Sequence, residues 1–117
     1  MIERNEFYLN NILESCEYII QFIENINFET FEKTRMIQSA VIRELEIIGE
    51  ATKNLTEDIR QLFKNIPWSK IAGMRDKLIH GYFTVDLNEV WNTSKKDISS
   101  LKVDIENILN KKDKDEA

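Results

Sequence analysis

The chain has 117 residues, 42% of them apolar and 32% charged, with three glycines and one proline; that supports one core, is too short for two, and suits a soluble helical protein better than a disordered one. No apolar run approaches the roughly eighteen residues that cross a bilayer, and Met1-Ile2-Glu3-Arg4 opens without a signal-peptide core, so a cytoplasmic protein with no membrane association is expected. The formal charge of −5 argues against a long electrostatic groove for nucleic acid. It is unevenly spread: residues 1–50 carry ten acids and four bases, net −6, whereas residues 51–117 carry eleven acids and twelve bases, net +1. Any nucleic acid would be gripped locally, and the acidic half is free to face a basic partner.

Apolar positions recur at helical spacing almost throughout and no segment alternates like a strand, which predicts an all-α fold. A first helix over about Asn5–Glu24 lines up Leu9, Ile12, Cys16, Ile19 and Ile23 in one stripe. Cys16 has no intrachain partner and no zinc-site neighbours, and on that apolar stripe it reads as a buried, inert thiol. After a break near Asn27, a second helix starts from Thr30 or Thr34, either of which can cap it, with Ile37, Val41, Leu45, Ile48 and Leu55 inward. Arg43, Glu46 and Glu50 share one face of it at three- and four-residue spacing, which an intrahelical ion-pair ladder explains simply. Thr56, followed by Glu57 and Asp58, starts a short third helix ending near Lys64. Pro67 suits the first position of a fourth helix running to about His80, where Gly81 ends it. Asp86 with Glu89 opens a last long helix whose Leu87, Trp91, Ser94, Ile98, Leu101, Ile105 and Ile108 alternate four and three apart, a seam for antiparallel packing. Residues 1–110 then form one helical bundle, and the charged tail 111–117 is expected to fray. No repeat or long linker divides the chain.

The chemistry concentrates in Arg75-Asp76-Lys77-Leu78-Ile79-His80-Gly81-Tyr82, which holds the only histidine. Histidine exchanges protons near neutral pH, and arginine grips phosphate through a planar, permanently charged fork. Taken alone, a histidine near a helix end is more often a cap or packing residue, and a bare R-x-x-x-x-H arises often by chance. Asp76 lies one turn before His80 and can accept a hydrogen bond from its ring, although an ordinary surface pair would look the same. Lys77 either attracts phosphate or is a solvated helix-face lysine. Tyr82 either lines a cleft with Arg75 or packs as an aromatic. Arg75 and His80 are five residues apart, about 140° around an ideal helix. Their convergence therefore needs the helix to end near His80, or a second copy of the helix facing the first across a two-fold axis. Gly49, Gly73 and Gly81 are isolated, with no P-loop, dinucleotide fingerprint or nucleophile elbow, so no cofactor is expected. A lone histidine without a Glu-x-x-His pair makes a di-metal bundle equally unexpected.

The octapeptide resembles the R-x-x-x-x-H-x-Y signature of HEPN-domain ribonucleases, specifically the HepT-like toxins that pair with minimal nucleotidyltransferase antitoxins. The likeness extends to the Ala40–Ala51 block, to Ile66-Pro67-Trp68 with Ile71-Ala72-Gly73-Met74, and to Tyr82-Phe83-Thr84-Val85-Asp86 with Val90-Trp91, in the family's order. One departure is Asp76, where many relatives carry Asn. The resemblance implies a HEPN-type up-and-down bundle of four to five helices and a homodimer whose facing motifs form a composite cleft. It implies metal-independent cleavage of RNA in a type VII-like toxin–antitoxin pair, with Arg75 and His80 as the catalytic pair and Asp76 and Lys77 in support. It further implies that the antitoxin silences the toxin by transferring AMP to Tyr82, within a homodimer or a larger hetero-oligomer. A catalytically silent bundle that only docks a nucleotidyltransferase is the competing expectation, and the intact Arg75 and His80 favour the enzyme.

Overall fold

Helical backbone accounts for every regular element in the computed structural model, which describes residues 3–80 and 86–116, with side chains for 3–78 and 86–111. The elements are α1 (Glu3–Ile23), α2 (Phe28–Lys33), α3 (Arg35–Lys53), α4 (Glu57–Leu62), α5 (Trp68–His80), α6 (Leu87–Asn92), a π-helical turn (Thr93–Asp97) and α7 (Ile98–Glu116). The all-α expectation holds, with four long helical stretches and two short ones. Among the described residues, no helix is long and apolar enough to cross a membrane.

α1 buries Leu9, Ile12, Cys16, Ile19 and Ile23, the stripe read from the sequence. Each such aliphatic side chain taken from water contributes about 1.5–3 kcal/mol, so one stripe anchors the helix firmly. Asn5 extends the stripe although it is polar, because Thr56 satisfies it from both sides: its Nδ2 donates to the Thr56 hydroxyl at 2.8 Å, and its Oδ1 accepts from the Thr56 amide at 3.0 Å. The Thr56 hydroxyl therefore faces α1 and makes no side-chain cap bond on α4.

The two candidate starts of the second long helix resolve into two helices. Asn27, read as the break, caps α2 by accepting from the Thr30 amide at 2.9 Å. Thr34 then takes extended backbone angles that end α2, while its carbonyl accepts from the Ile37 and Gln38 amides at 3.1 Å each to begin α3. The Gln38 side chain donates back to the Phe31 and Glu32 carbonyls at 2.9 Å each, which satisfies orphan acceptors at the end of α2. The gain is Phe31, fully buried against Trp91 with ring centroids 5.2 Å apart. Leu55 is buried as expected but lies beyond the Asn54 cap that closes α3. α4 stops at Leu62, two residues short of the expected Lys64, and Pro67 stands just before α5, where its carbonyl accepts from the Ile71 amide at 3.1 Å.

Asp86 caps α6 as expected, accepting from the Asn88 and Glu89 amides at 2.9 and 3.3 Å. The seam behind it is rephased. Val90, Ser94, Ile98, Leu101, Ile105 and Ile108 are buried, whereas Leu87 and Trp91 lie at the edge of the core. Two successive four-residue steps would each swing an α-helical stripe by about 40°, and the wider π turn absorbs that drift. α1 packs chiefly on α3 and α7, and α3 carries α5 on its other side.

Candidate active site around Arg75

Gly49 decides where Arg75 sits. It is buried in the middle of α3, and a Cβ placed on it would lie 2.5 Å from the Arg75 Cβ and 3.0 Å from the Arg75 backbone nitrogen. Without a side chain there, α5 closes directly on α3 and the Arg75 side chain runs along the α3 surface.

Two carboxylates meet that side chain. The Arg75 Nε lies 2.6 Å from Glu50 Oε2, and its Nη1 donates to Asp76 Oδ1 at 3.1 Å. Lys53, one turn beyond Glu50 on α3, donates from Nζ to both Asp76 oxygens at 2.7 and 2.8 Å. Charges thus alternate Glu50, Arg75, Asp76, Lys53 across the two helices. The Lys53 hydrogen bonds hold the Asp76 carboxyl below the usual carboxylate range, outweighing the opposing loss of hydration, with a lesser contribution from Arg75. It stays ionised at neutral pH. Beside the network is a hollow of about 250 Å³ lined by Tyr8, Asn11, Arg43, Glu46, Glu50 and Arg75, among others. Arg43 and Glu46 pair at 3.7 Å on its wall.

Each expected site residue can now be placed. Arg75 enters the hollow. Asp76 is the partner of Lys53 and Arg75; the hydrogen bond expected from His80 involves a side chain outside the described residues. His80 is the last described residue of α5. Gly81, Tyr82 and Phe83–Val85 lie outside the described residues. Lys77 is absent from the hollow's lining: it pairs with Glu89 at the start of α6 and borders a different groove beside Ile71, Met74 and Leu101. Glu50 leaves the expected ladder with Arg43 and Glu46 and reaches across to Arg75. Lys53 carried no expectation. Its signal was its i,i+3 spacing from Glu50, which puts a base and an acid on one face, but only the register of α5 on α3 reveals what they touch. An isolated glycine inside a helical pattern was the available hint of that close crossing.

An all-helical bundle that carries R-x-x-x-x-H on one of its helices is the architecture of the HEPN class. The family model described as "Ribonuclease HepT-like" matches residues 12–108, and the chain belongs to that family. It is 50% identical over 101 residues to the probable ribonuclease HepT of Thermococcus cleftensis, covering 86% of this chain and 92% of the relative. It is also 46% identical over 104 residues to a protein of Caldanaerobacter subterraneus provisionally named an RNase, covering 89% and 93%. A protein of Methanocaldococcus jannaschii with the same provisional kind of name is 46% identical over 102 residues, covering 87% and 84%. No solved structure gives a significant match.

Proposed function

We propose that the chain is a metal-independent endoribonuclease and the toxin of a two-component toxin–antitoxin pair. The observation that carries this reading is Arg75, held by Glu50 and Asp76 at the edge of a hollow, five residues before the chain's one histidine on the same helix. Membership of the ribonuclease HepT-like family supports it. Arg75 holds the scissile phosphate and balances the charge that builds on it. His80 acts as general base or acid: the ribose 2′-hydroxyl loses its proton, its oxygen bonds to phosphorus, the bond to the 5′-oxygen breaks, and that oxygen is protonated. The products are a 2′,3′-cyclic phosphate and a 5′-hydroxyl. The RNA supplies its own nucleophile, so the step calls for no metal-bound water.

Each chain has one imidazole, and the step uses a base and an acid. A homodimer with two facing motifs supplies both, with Asp76 in support; Lys77, held by Glu89 outside the hollow, would take part only if RNA draws it away from that carboxylate. A nucleotidyltransferase antitoxin in the same cytoplasm attaches AMP to Tyr82, placing a bulky phosphodiester beside Arg75 and His80. The test is cleavage of RNA by wild type, Arg75→Ala and His80→Ala in the presence of a chelator. Loss of a general acid–base group lowers the rate about a hundred- to ten-thousand-fold. Full activity in His80→Ala, or activity that disappears with EDTA and returns with magnesium, contradicts the mechanism; no cleavage by any form points instead to a docking module. For Tyr82, intact mass after co-expression with the partner should show adenylate on wild type and none on Tyr82→Phe.

A further inference from the structure

Glu50, Arg75, Asp76 and Lys53 are exposed over a third to just over a half of their side-chain surfaces, at 54%, 34%, 48% and 35%. Ion pairs at that exposure add little to fold stability, because water competes for both partners and ordering long side chains opposes the attraction. Fold stability is therefore a poor reason for two carboxylates to hold one guanidinium. Orientation is a better one. Arginine reaches its donors through several rotatable bonds, and a guanidinium met at Nε by one carboxylate and at Nη1 by another is left with one orientation. The two anchors also differ in origin: Glu50 projects from α3, whereas Asp76 is the neighbour of Arg75 on α5 and is itself fixed to α3 by both Lys53 hydrogen bonds. The clamp thus closes on both helices at the crossing that Gly49 permits. Among the described residues Nη2 makes no hydrogen bond, so the guanidinium keeps donors for a phosphate oxygen. Summed formally, Glu50, Arg75, Asp76 and Lys53 are neutral. The clamp presents a directed donor rather than a concentrated positive field, as befits a chain of net charge −5.

We propose that Glu50 is a positioning residue, which with the Lys53-anchored Asp76 holds the Arg75 guanidinium so that its Nη2 end is offered to the scissile phosphate. This rests on the reading of Arg75 as the phosphate-binding group. A misplaced catalytic group lowers the rate of the chemical step more than it weakens substrate binding, and a displacement of about 1 Å can cost about a hundredfold.

The experiment measures kcat and KM for a fluorescent single-stranded RNA with Glu50→Ala, Glu50→Gln, Lys53→Met and Arg75→Ala, with melting curves for each. Glu50→Ala is expected to lower kcat roughly ten- to a hundredfold with KM within about threefold of wild type and little change in melting temperature. Lys53→Met, which frees Asp76, falls in the same direction, and Glu50→Gln, which keeps the length of the side chain but not its charge, falls short of wild type as well. The double variant Glu50→Ala/Arg75→Ala should be no slower than Arg75→Ala, since the glutamate acts through the arginine. Unchanged or raised kcat in Glu50→Ala, alongside an inactive Arg75→Ala, overturns the proposal and leaves the nuclease reading standing; the carboxylate would then be a competitor for the guanidinium. A fully active Arg75→Ala overturns the reading of Arg75 as the phosphate-binding group, and the positioning role of Glu50 with it. The clamp also has a readout that needs no turnover. In ¹³C,¹⁵N-arginine-labelled protein the Arg75 guanidinium rotates slowly about its Nε–Cζ bond, and Glu50→Ala makes that rotation fast; equally fast rotation in wild type also rejects the clamp.

Discussion

Asp76 and Cys16 show opposite responses of a side chain to its surroundings. Asp76 is held below the ordinary carboxylate range by Lys53 first and Arg75 second, so its folded pKa is lower than its unfolded one. For a carboxyl shifted down, the contribution to stability is complete above the unfolded value, near 3.8, and is lost as pH falls through the folded value. Asp76→Asn should accordingly differ from wild type by a small, constant melting-temperature offset from pH 5 to 8, and the offset should shrink as pH falls below about 3.8. An offset that grows on acidification below 3.8 would show that Asp76 is not held by charge. Cys16 is fully buried, and loss of hydration, reinforced by Glu17, pushes its thiol up to about 12 from an ordinary 9.0. The folded protein keeps this proton where the unfolded chain releases it, so stability falls as pH rises from about 9 toward 12. At pH 8 native Cys16 should not react with Ellman's reagent, whereas the urea-unfolded chain should titrate one thiol at once. Rapid reaction of the native protein would mean that α1 opens readily.

At the crossing of α3 and α5 the packing is set by a missing side chain. Gly49→Ala would put a methyl 2.5 Å from the Arg75 Cβ, a separation that only movement of backbone can relieve, because neither partner is the flexible end of a side chain. Overpacking of this kind costs about 1–3 kcal/mol, which for a domain of this length lowers the melting temperature by roughly 5–10 °C. Cleavage should fall as well, because the shift displaces Arg75. Gly73 offers the contrast: a methyl there would meet nothing within 4 Å, so Gly73→Ala should be neutral or stabilising by differential scanning calorimetry. How far such features were legible follows from their range along the chain. The α1 stripe, the Asp86 cap and the helical class are local, set by periodicity and by groups within three residues, and they read correctly. The split of the second helix was half legible: Thr30 and Thr34 both offered starts, but the reason to break at Thr34 is the burial of Phe31 against Trp91, some sixty residues away. Val90 replaces Trp91 in the buried seam because a π turn intervenes, and nothing in Thr93–Asp97 announces one. Glu50 was misplaced into a ladder for the same reason, since its partner comes from another helix.

Charge and symmetry act on the molecule as a unit. The acidic N-terminal half and nearly neutral C-terminal half give the chain no excess of positive charge, so RNA should be held by few phosphates around Arg75. For single strands the slope of log affinity against log salt is about −0.7 per phosphate neutralised, so a chain using one or two contacts should show a slope between about −0.7 and −1.4. A slope near −5 in fluorescence anisotropy with a 2′-O-methyl RNA would mean that many more basic side chains grip the strand. Local gripping places the catalytic demand on very few groups, and the imidazole count then matters. One histidine per chain cannot be base and acid at once within a single cleavage event, whereas two chains with motifs facing across a two-fold axis can divide the roles. If the two imidazoles of a dimer divide the roles, a dimer of one wild-type and one His80→Ala chain keeps only one of them. Wild type unfolded and refolded with excess His80→Ala should therefore lose cleavage in proportion to the heterodimer formed. Heterodimers, verified by native mass spectrometry, that cleave at half the wild-type rate or more would place a complete site on one chain. Full cleavage by a species that light scattering identifies as a monomer would remove the shared site altogether.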